Sequence, residues 1–312
     1  LKTPKSATSQ KLETGELIYF GLLESLKQSL KTLPPFNLDE LQISFNVDGI
    51  PLYRSSSVQL WPILGQIKNV NSSPFVVTMF CGTSKPSPLS AYLADFVKEL
   101  KELLEHGFEY EKKHYIIKVH SIICDAPARS FLKCIKSHAG YSSCEKCTVS
   151  GRYVMGRVIL NSISEPRRSD ESFLRQLDEE HHLTISPLTE LPIGLVTNFP
   201  LDYMHCVCLG VMRKLLNVWI SGPLQVRLGS QKIKQISAVL ESWKPFIPVE
   251  FNRKCRSLSE ISRWKATEFR LFLLYLGPIV LKNVVDLAVY EQFLLFHTGI
   301  AILISNKHLS NY

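Results

Sequence analysis

The stretch Tyr115–Cys147, YIIKVHSIICDAPARSFLKCIKSHAGYSSCEKC, decides how the rest of the chain is read. Tyr115 to Cys124 is rich in Ile and Val, which predicts a strand. The run stops at Asp125, Ala126-Pro127 turns the chain, and Ala128 to Lys136 is expected to be a short helix. Nineteen residues after the Asp begins Cys144-Glu-Lys-Cys147. A carboxylate at the exit of a buried strand is costly unless it is paired or binds a metal. A CxxC is half of a tetrahedral zinc site. The stretch therefore reads as an Mg²⁺-binding carboxylate followed by a zinc-stapled insertion.

Upstream, Glu16 to Leu33 has helical spacing and ends at Pro34-Pro35; residues 1 to 15 are polar, without periodicity, and expected to be mobile. Leu41 to Val47 alternates apolar and polar and meets Asp48-Gly49, which predicts a first strand. Leu60 to Ile67 and Phe75 to Phe80 are a second and third. The Tyr53-Arg-Ser-Ser-Ser57 segment between the first two is either a phosphate contact or a polar hairpin loop. Pro88 to Gly107 is helical in spacing, and Tyr115 to Cys124 is then the fourth strand. Three strands, a helix and a strand is the order of a ribonuclease-H-like core. There the first three strands form an antiparallel meander and the fourth lies parallel to the first across a right-handed crossover. Asp48 and Asp125 end those two neighbouring strands, which brings two carboxylates to one sheet edge.

Downstream, the texture changes at residue 137. Residues 137–261 carry the CxxC, a Ser/Arg-rich stretch from Ser162 to Arg168, the Glu179-Glu180-His181-His182 cluster and a helical run from Leu201 to Ile220. From Ser262 a strong helix begins, with Trp264, Phe269, Phe272, Leu273 and Leu276 as its apolar stripe and Glu268 at its border. Asp286 to Ser305 is a further helix. The expected organisation is an α/β fold: a ribonuclease-H-like mixed sheet flanked by helices, interrupted by a mainly helical zinc-binding insertion. Residues 1–37 are an N-terminal helical segment, 38–136 the first part of the core, 137–261 the insertion and 262–312 the helical C-terminal part of the core.

The 45% hydrophobic and 21% charged content argues against disorder. A net charge of +8 fits an anionic partner. Several of the eight Cys sit in apolar runs and no signal peptide is visible, so a reducing compartment is expected rather than a disulfide framework. The apolar runs at 271–281 and 292–305 are too short to span a bilayer, so no membrane is expected. The chain starts at Leu1 and ends at Tyr312 with no terminal motif, the expectation for a fragment separated from a DNA-binding domain.

Three constellations carry chemistry. Asp48, Asp125 and Glu268 can supply the carboxylates of a two-metal phosphoryl-transfer site, with Glu260, Glu250 and Asp286 as rivals for the third place. Taken singly, each reads better as a turn or helix-surface residue. Cys144 and Cys147 need further ligands, and the candidates are His205 in LDYMHCVCLGVM, His181 and His182; Cys206 and Cys208 lie in apolar surroundings that suit packing. A redox role would want a thioredoxin-like unit, which is absent. The third is the basic run of Arg253, Lys254, Arg256, Arg263, Lys265 and Arg270, suited to a phosphate backbone or to a solvated face.

VDGIPLYRSSSVQLWPILG, IICDAPARSF, GYSSCEKC and FPLDYMHCVCLGVMRKLL together resemble the catalytic region of DDE-type transposases of the CACTA/Mirage/Chapaev (En/Spm-like) superfamily, over about Leu38 to Leu281. The resemblance implies a catalytic core interrupted between its second and third acids. The first two acids match Asp48 and Asp125, the CxxC matches Cys144 and Cys147, and the Met-His pair matches Met204-His205; Glu268 stands where the third acid falls. It implies DNA strand cleavage and transfer with Mg²⁺ (or Mn²⁺), structural Zn²⁺ on Cys144, Cys147 and His205, DNA as partner, a nuclear location, and leaves a homo-oligomer open. The other reading is a catalytically inactive, transposon-derived module that binds DNA or protein.

Overall fold

The computed structural model describes residues 8–53 and 55–309. The chain divides between Leu201 and Asp202 into two compact units. Residues 137–201, expected in a separate insertion, thus belong with the sheet, and residues 202–261 belong with the C-terminal helices.

The first unit is α/β. Its elements are β1 (Gln10–Leu12), β2 (Gly15–Tyr19), α1 (Leu22–Lys31), β3 (Glu40–Val47), β4 (Ile50–Pro51), β5 (Gln59–Ile67), β6 (Phe75–Gly82), α2 (Leu89–His106), β7 (Phe108–Tyr110), β8 (Lys113–Ile123) and α3 (Ala126–Leu132). The small ribbon β9 (Arg152–Val154) and β10 (Arg157–Ile159) and the helix α4 (Asp170–Leu174) follow. One mixed sheet runs in the order β1-β2-β6-β5-β3-β8-β7, with β4 paired to β5. β3 is antiparallel to β5 and parallel to β8. The alternation seen in the sequence sets the core face: Leu41, Ile43, Phe45 and Val47 are all buried. Phe45 meets Phe96 of α2 edge to face at 5.0 Å.

Two expectations need correction. Residues 15–19 form a strand, not the first turns of a helix, and residues 10–12 form another; residues 1–7 lie outside the described set. The edge of β6 supplies a ladder for β2, and that pairing overrides helical spacing. Gly15 is required there, because a Cβ would sit 2.1 Å from the Cys81 carbonyl oxygen. Gly21, at φ 90°, then turns the chain into α1, whose first amides at Leu22 and Leu23 donate to the Glu99 carboxylate. Likewise α3 starts two residues early and ends four early. Asp125 caps it, its Oδ1 accepting from the Ala128 amide at 2.7 Å, Pro127 sits in its first turn, and Cys134 takes φ 53° just beyond it.

The second unit is helical. A π-helix at Met204–Met212 leads into α5 (Arg213–Ser221), followed by α6 (Ser230–Trp243), α7 (Ala266–Leu271), a second π-turn at Phe272–Leu276, α8 (Gly277–Val280), α9 (Leu287–Leu303) and α10 (Asn306–Leu309). Its core holds Trp219, Trp264, Phe269, Phe272 and Phe293, so the apolar stripe expected from Trp264 onward is buried. Among the described residues no helix is long and apolar enough to cross a membrane.

Candidate functional site

Asp48 and Asp125 follow the C-terminal ends of two adjacent parallel strands. Their alignment depends on one irregularity. Ile43 pairs with Val119, but Ser44 pairs with Ser121, so His120 is an extra residue in β8. The bulge advances the register by one, and Asn46 then pairs with Ile123. Continuing that pairing by two residues sets Asp48 level with Asp125; without the bulge Asp48 would be level with Cys124. The bulge also shifts the phase of β8, so that Ile122 and Cys124 join the hydrophobic core near its end. On the other face, the Ser44 and Ser121 hydroxyls lie 2.9 Å apart, and Asn46 donates to the Ile123 carbonyl at 3.0 Å.

The bulge is held by Asn198. Its side-chain amide donates to the carbonyls of Val119 (3.0 Å) and His120 (3.3 Å), and its backbone carbonyl accepts from the Ile122 amide at 2.7 Å. Asn198 is steadied in turn, its Oδ1 accepting from the Gly194 amide, while Asp170 accepts from Val196, Thr197 and the Thr197 hydroxyl. Burial alone would raise the Asp170 pKa, but these hydrogen bonds outweigh it and hold the carboxyl below its usual value.

Asp125 has an exposed neighbour in Lys85. The Lys85 ammonium donates to the Pro127 carbonyl at 3.2 Å and lies over the rings of Trp61 and Phe131. Burial lowers its pKa while the Asp125 charge opposes that shift. Beside both acids, burial pushes the Cys124 thiol up to about 12, so it stays protonated at neutral pH.

The residues inside the CxxC brace this strand end. Glu145 is buried between Arg129 Nε (2.5 Å) and Lys133 Nζ (2.9 Å), both within or just after α3. Arg129 also donates to the Cys124 and Pro200 carbonyls. Lys146 donates to the carbonyls of Val196 (2.6 Å) and Phe199 (2.8 Å), either side of Asn198. Burial would raise the Glu145 pKa, but the charges of Lys133 and Arg129 outweigh it and keep the carboxylate ionised.

The Cys144 and Cys147 sulfurs are 3.4 Å apart and not in a disulfide. His181 is fully buried. Its Nδ1–H donates to the Ser142 carbonyl at 2.7 Å, which leaves Nε2 with the lone pair, buried and without a partner. The adjacent His182 has its Nδ1 buried without a partner as well. An unmet buried nitrogen costs about 1–3 kcal/mol. Burial, with Arg168 and Lys133 nearby, pushes the His181 pKa down to about 4. Among the described residues, no three His, Cys, Asp or Glu side chains are gathered closely enough to hold an ion as they stand.

His205 and Glu268 belong to the second unit. His205 Nδ1 is hydrogen-bonded to Asp202, whose carboxylate also accepts from the Met204 and His205 amides at the start of the π-helix. Glu268 is 2% exposed. Arg256 grips it through two bonds of 2.6 and 2.8 Å, and Oε2 also accepts from the Lys265 amide. Of its rivals, Glu260 lies 3.6 Å from Arg256, Asp286 pairs with Lys232, and Glu250 is exposed. In the basic run, Arg253, Arg263 and Lys265 are exposed, whereas Lys254 donates to the Ile247 and Pro248 carbonyls. Tyr53 and Ser55–Ser57 are exposed, and Arg54 lies outside the described residues.

No protein-family model matches this chain, and no curated protein matches it either. Sequence reasoning had passed over Lys85, Arg129, Glu145, Lys146 and Asn198. The one available signal was a Glu-Lys pair inside a CxxC; the partners lie too far along the chain for any local pattern to reveal them.

Proposed function

We propose that the chain is a DDE-type, transposase-like phosphoryl transferase that cleaves and joins DNA strands on a ribonuclease-H-like core. The observation that carries this reading is the pairing of Asn46 with Ile123, which leaves Asp48 and Asp125 each two residues beyond the same rung of parallel β3 and β8. The strand order β6-β5-β3-β8 supports it: three antiparallel strands, the first of them parallel to the fourth.

The donor set suits Mg²⁺ or Mn²⁺. Two carboxylates are the protein share such an ion takes, with water and substrate phosphate completing its shell. Asp125 Oδ1 is committed to the Ala128 amide, so Oδ2 is the oxygen that would take the ion. When bound, the metal supplies charge neutralisation at the attacking and leaving oxygens of an in-line displacement. Lys85, beside Asp125, would offer its cation to a substrate phosphate. In this reading Glu268, which Arg256 holds through two hydrogen bonds, would be the third acid. Cys144, Cys147 and a histidine hold structural zinc. DNA is the partner and the nucleus the place of action.

A second reading rests on the Arg256 pair. If Glu268 never leaves Arg256, the chain is an inactive module that still binds nucleic acid. The test is a DNA nicking and joining assay with Mg²⁺ or Mn²⁺. Metal-dependent cleavage that Asp125→Asn abolishes, with DNA affinity nearly intact and falling steeply with salt, supports the enzyme. DNA binding without cleavage in either metal leaves the inactive module.

A further inference from the structure

We infer that the β9–β10 ribbon lies in the major groove of duplex DNA, with Arg152 and Arg157 on the phosphates to either side. The inference rests on the DNA-binding part of the reading above and assigns the surface that does it. Among the described residues the ribbon is a two-stranded sheet that joins no other strand. Tyr153 pairs with Val158, and Met155 and Gly156, at φ 48° and 83°, make the two-residue turn that suits the twist of a hairpin. Residues 152–157 are all exposed, Met155 by 92%. Two strands paired only with each other are marginally stable in water, so this one has a surface to offer and little of its own to pack on.

Charge identifies the partner. Residues 148–167 carry Arg152, Arg157 and Arg167 against a single acid, Glu165. All three arginines are exposed, and none is in an ion pair among the described residues. Arg129, Arg168 and Arg256, by contrast, are each matched to a carboxylate. The register sets Arg152 opposite Ile159 and Arg157 opposite Val154, so the two arginines share one face, one on each strand. Each can reach the phosphate wall on its own side, and Val154 between them faces the base edges, where thymine offers a methyl group. A groove about 12 Å wide admits a two-stranded ribbon. The root of the ribbon is fixed on both legs. The Gly151 amide donates to the Tyr141 carbonyl at 2.8 Å, the Thr148 amide to the Pro166 carbonyl at 3.0 Å, and Cys147 bridges to Arg167. Val158 closes over Gly151, where a Cβ would lie 2.3 Å from it. The same CxxC loop carries Glu145 and Lys146, which brace the strand end of Asp125. The ribbon and that strand end are thus mounted on one loop.

Fluorescence anisotropy of the whole chain with a labelled duplex of mixed sequence, over a series of salt concentrations, tests the assignment. Arg152→Ala with Arg157→Ala should weaken binding ~10-fold and flatten the slope of log affinity against log salt by about 2, as expected for two lost phosphate contacts. Arg152→Lys with Arg157→Lys keeps both charges and should keep the slope. Lys98→Ala with Lys101→Ala, exposed on α2, should change neither affinity nor slope. A double-alanine variant that binds with the wild-type affinity and slope overturns the ribbon's role and leaves the phosphoryl-transfer reading standing. A wild type that binds no duplex at low salt overturns both. Loss of binding in the double-alanine variant, with no cleavage by the wild type, supports the ribbon in an inactive module. A wild-type dimer in sedimentation that the double-alanine variant loses, with DNA affinity intact, assigns the ribbon to a second copy of the chain and overturns the DNA contact.

Discussion

Asn46 pairs with Ile123, two residues before Asp48 and Asp125 respectively, because β8 carries one residue more than β3 over the paired length. His120 is that residue, and Asn198 holds it in place. A bulge leaves carbonyls that the ladder does not use, and here a side-chain amide takes two of them.

Removing that amide should therefore loosen the strand end. Asn198→Ala leaves the Val119 and His120 carbonyls without this donor and should cost about 1–3 kcal/mol in urea denaturation. Asn198→Asp should be at least as costly, since a carboxylate oxygen would face the two carbonyl oxygens. A denaturation midpoint unchanged in both variants would show that the bulge holds itself.

Glu145 should be among the most sensitive positions in the chain. It neutralises Arg129 and Lys133, which are themselves almost fully buried. Glu145→Gln strands two buried cations and should lose about 3–5 kcal/mol. The pH dependence follows from the direction of the Glu145 shift. Its pKa is lower folded than unfolded, so its stabilisation is complete above the unfolded carboxylate value and is lost as pH falls through the folded value. The gap between wild type and Glu145→Gln in chemical denaturation should thus be widest near neutral pH and shrink below about pH 4. A gap that stays constant down to pH 3 would contradict the ionised pair.

Glu268 combines a structural bond with a proposed role. Glu268→Gln should lower stability by about 1–3 kcal/mol, less than Glu145→Gln, because Arg256 is partly exposed and can rehydrate. Arg256→Gln should cost a similar amount, and the two together less than their sum, since they share one interaction. Cleavage by folded Glu268→Gln then decides its second role: activity retained moves the third acid to Glu260 or Glu250, and activity lost keeps it at Glu268.

Much of the first unit was legible locally. Period-2 alternation located β3 and helical spacing located α2, because both bury a single face and the pattern records that face. The same logic failed at Gly15–Tyr19. Leu17, Phe20 and Leu23 have helical spacing, yet the segment pairs with β6, since an unpaired sheet edge outweighs intrinsic preference over five residues. Glu268 shows a related limit. Its spacing puts it beside the apolar stripe, but only the folded chain delivers Arg256 to make its burial tolerable.

What the sequence determined by itself is which segments become strands and helices in the sheet core, and that two of those strands end in Asp. These follow from side-chain periodicity and from turn residues, which act within a few positions. The tertiary structure decided the register that pairs Asn46 with Ile123, the burial of Glu145 between two cations, and the burial of two unpartnered histidine nitrogens. Each depends on groups brought together from 12 to 79 positions apart in the chain. Register in particular turns on a single added residue, and hydrophobic pattern does not distinguish a bulge from a phase error until a partner such as Asn198 fills the gap it leaves.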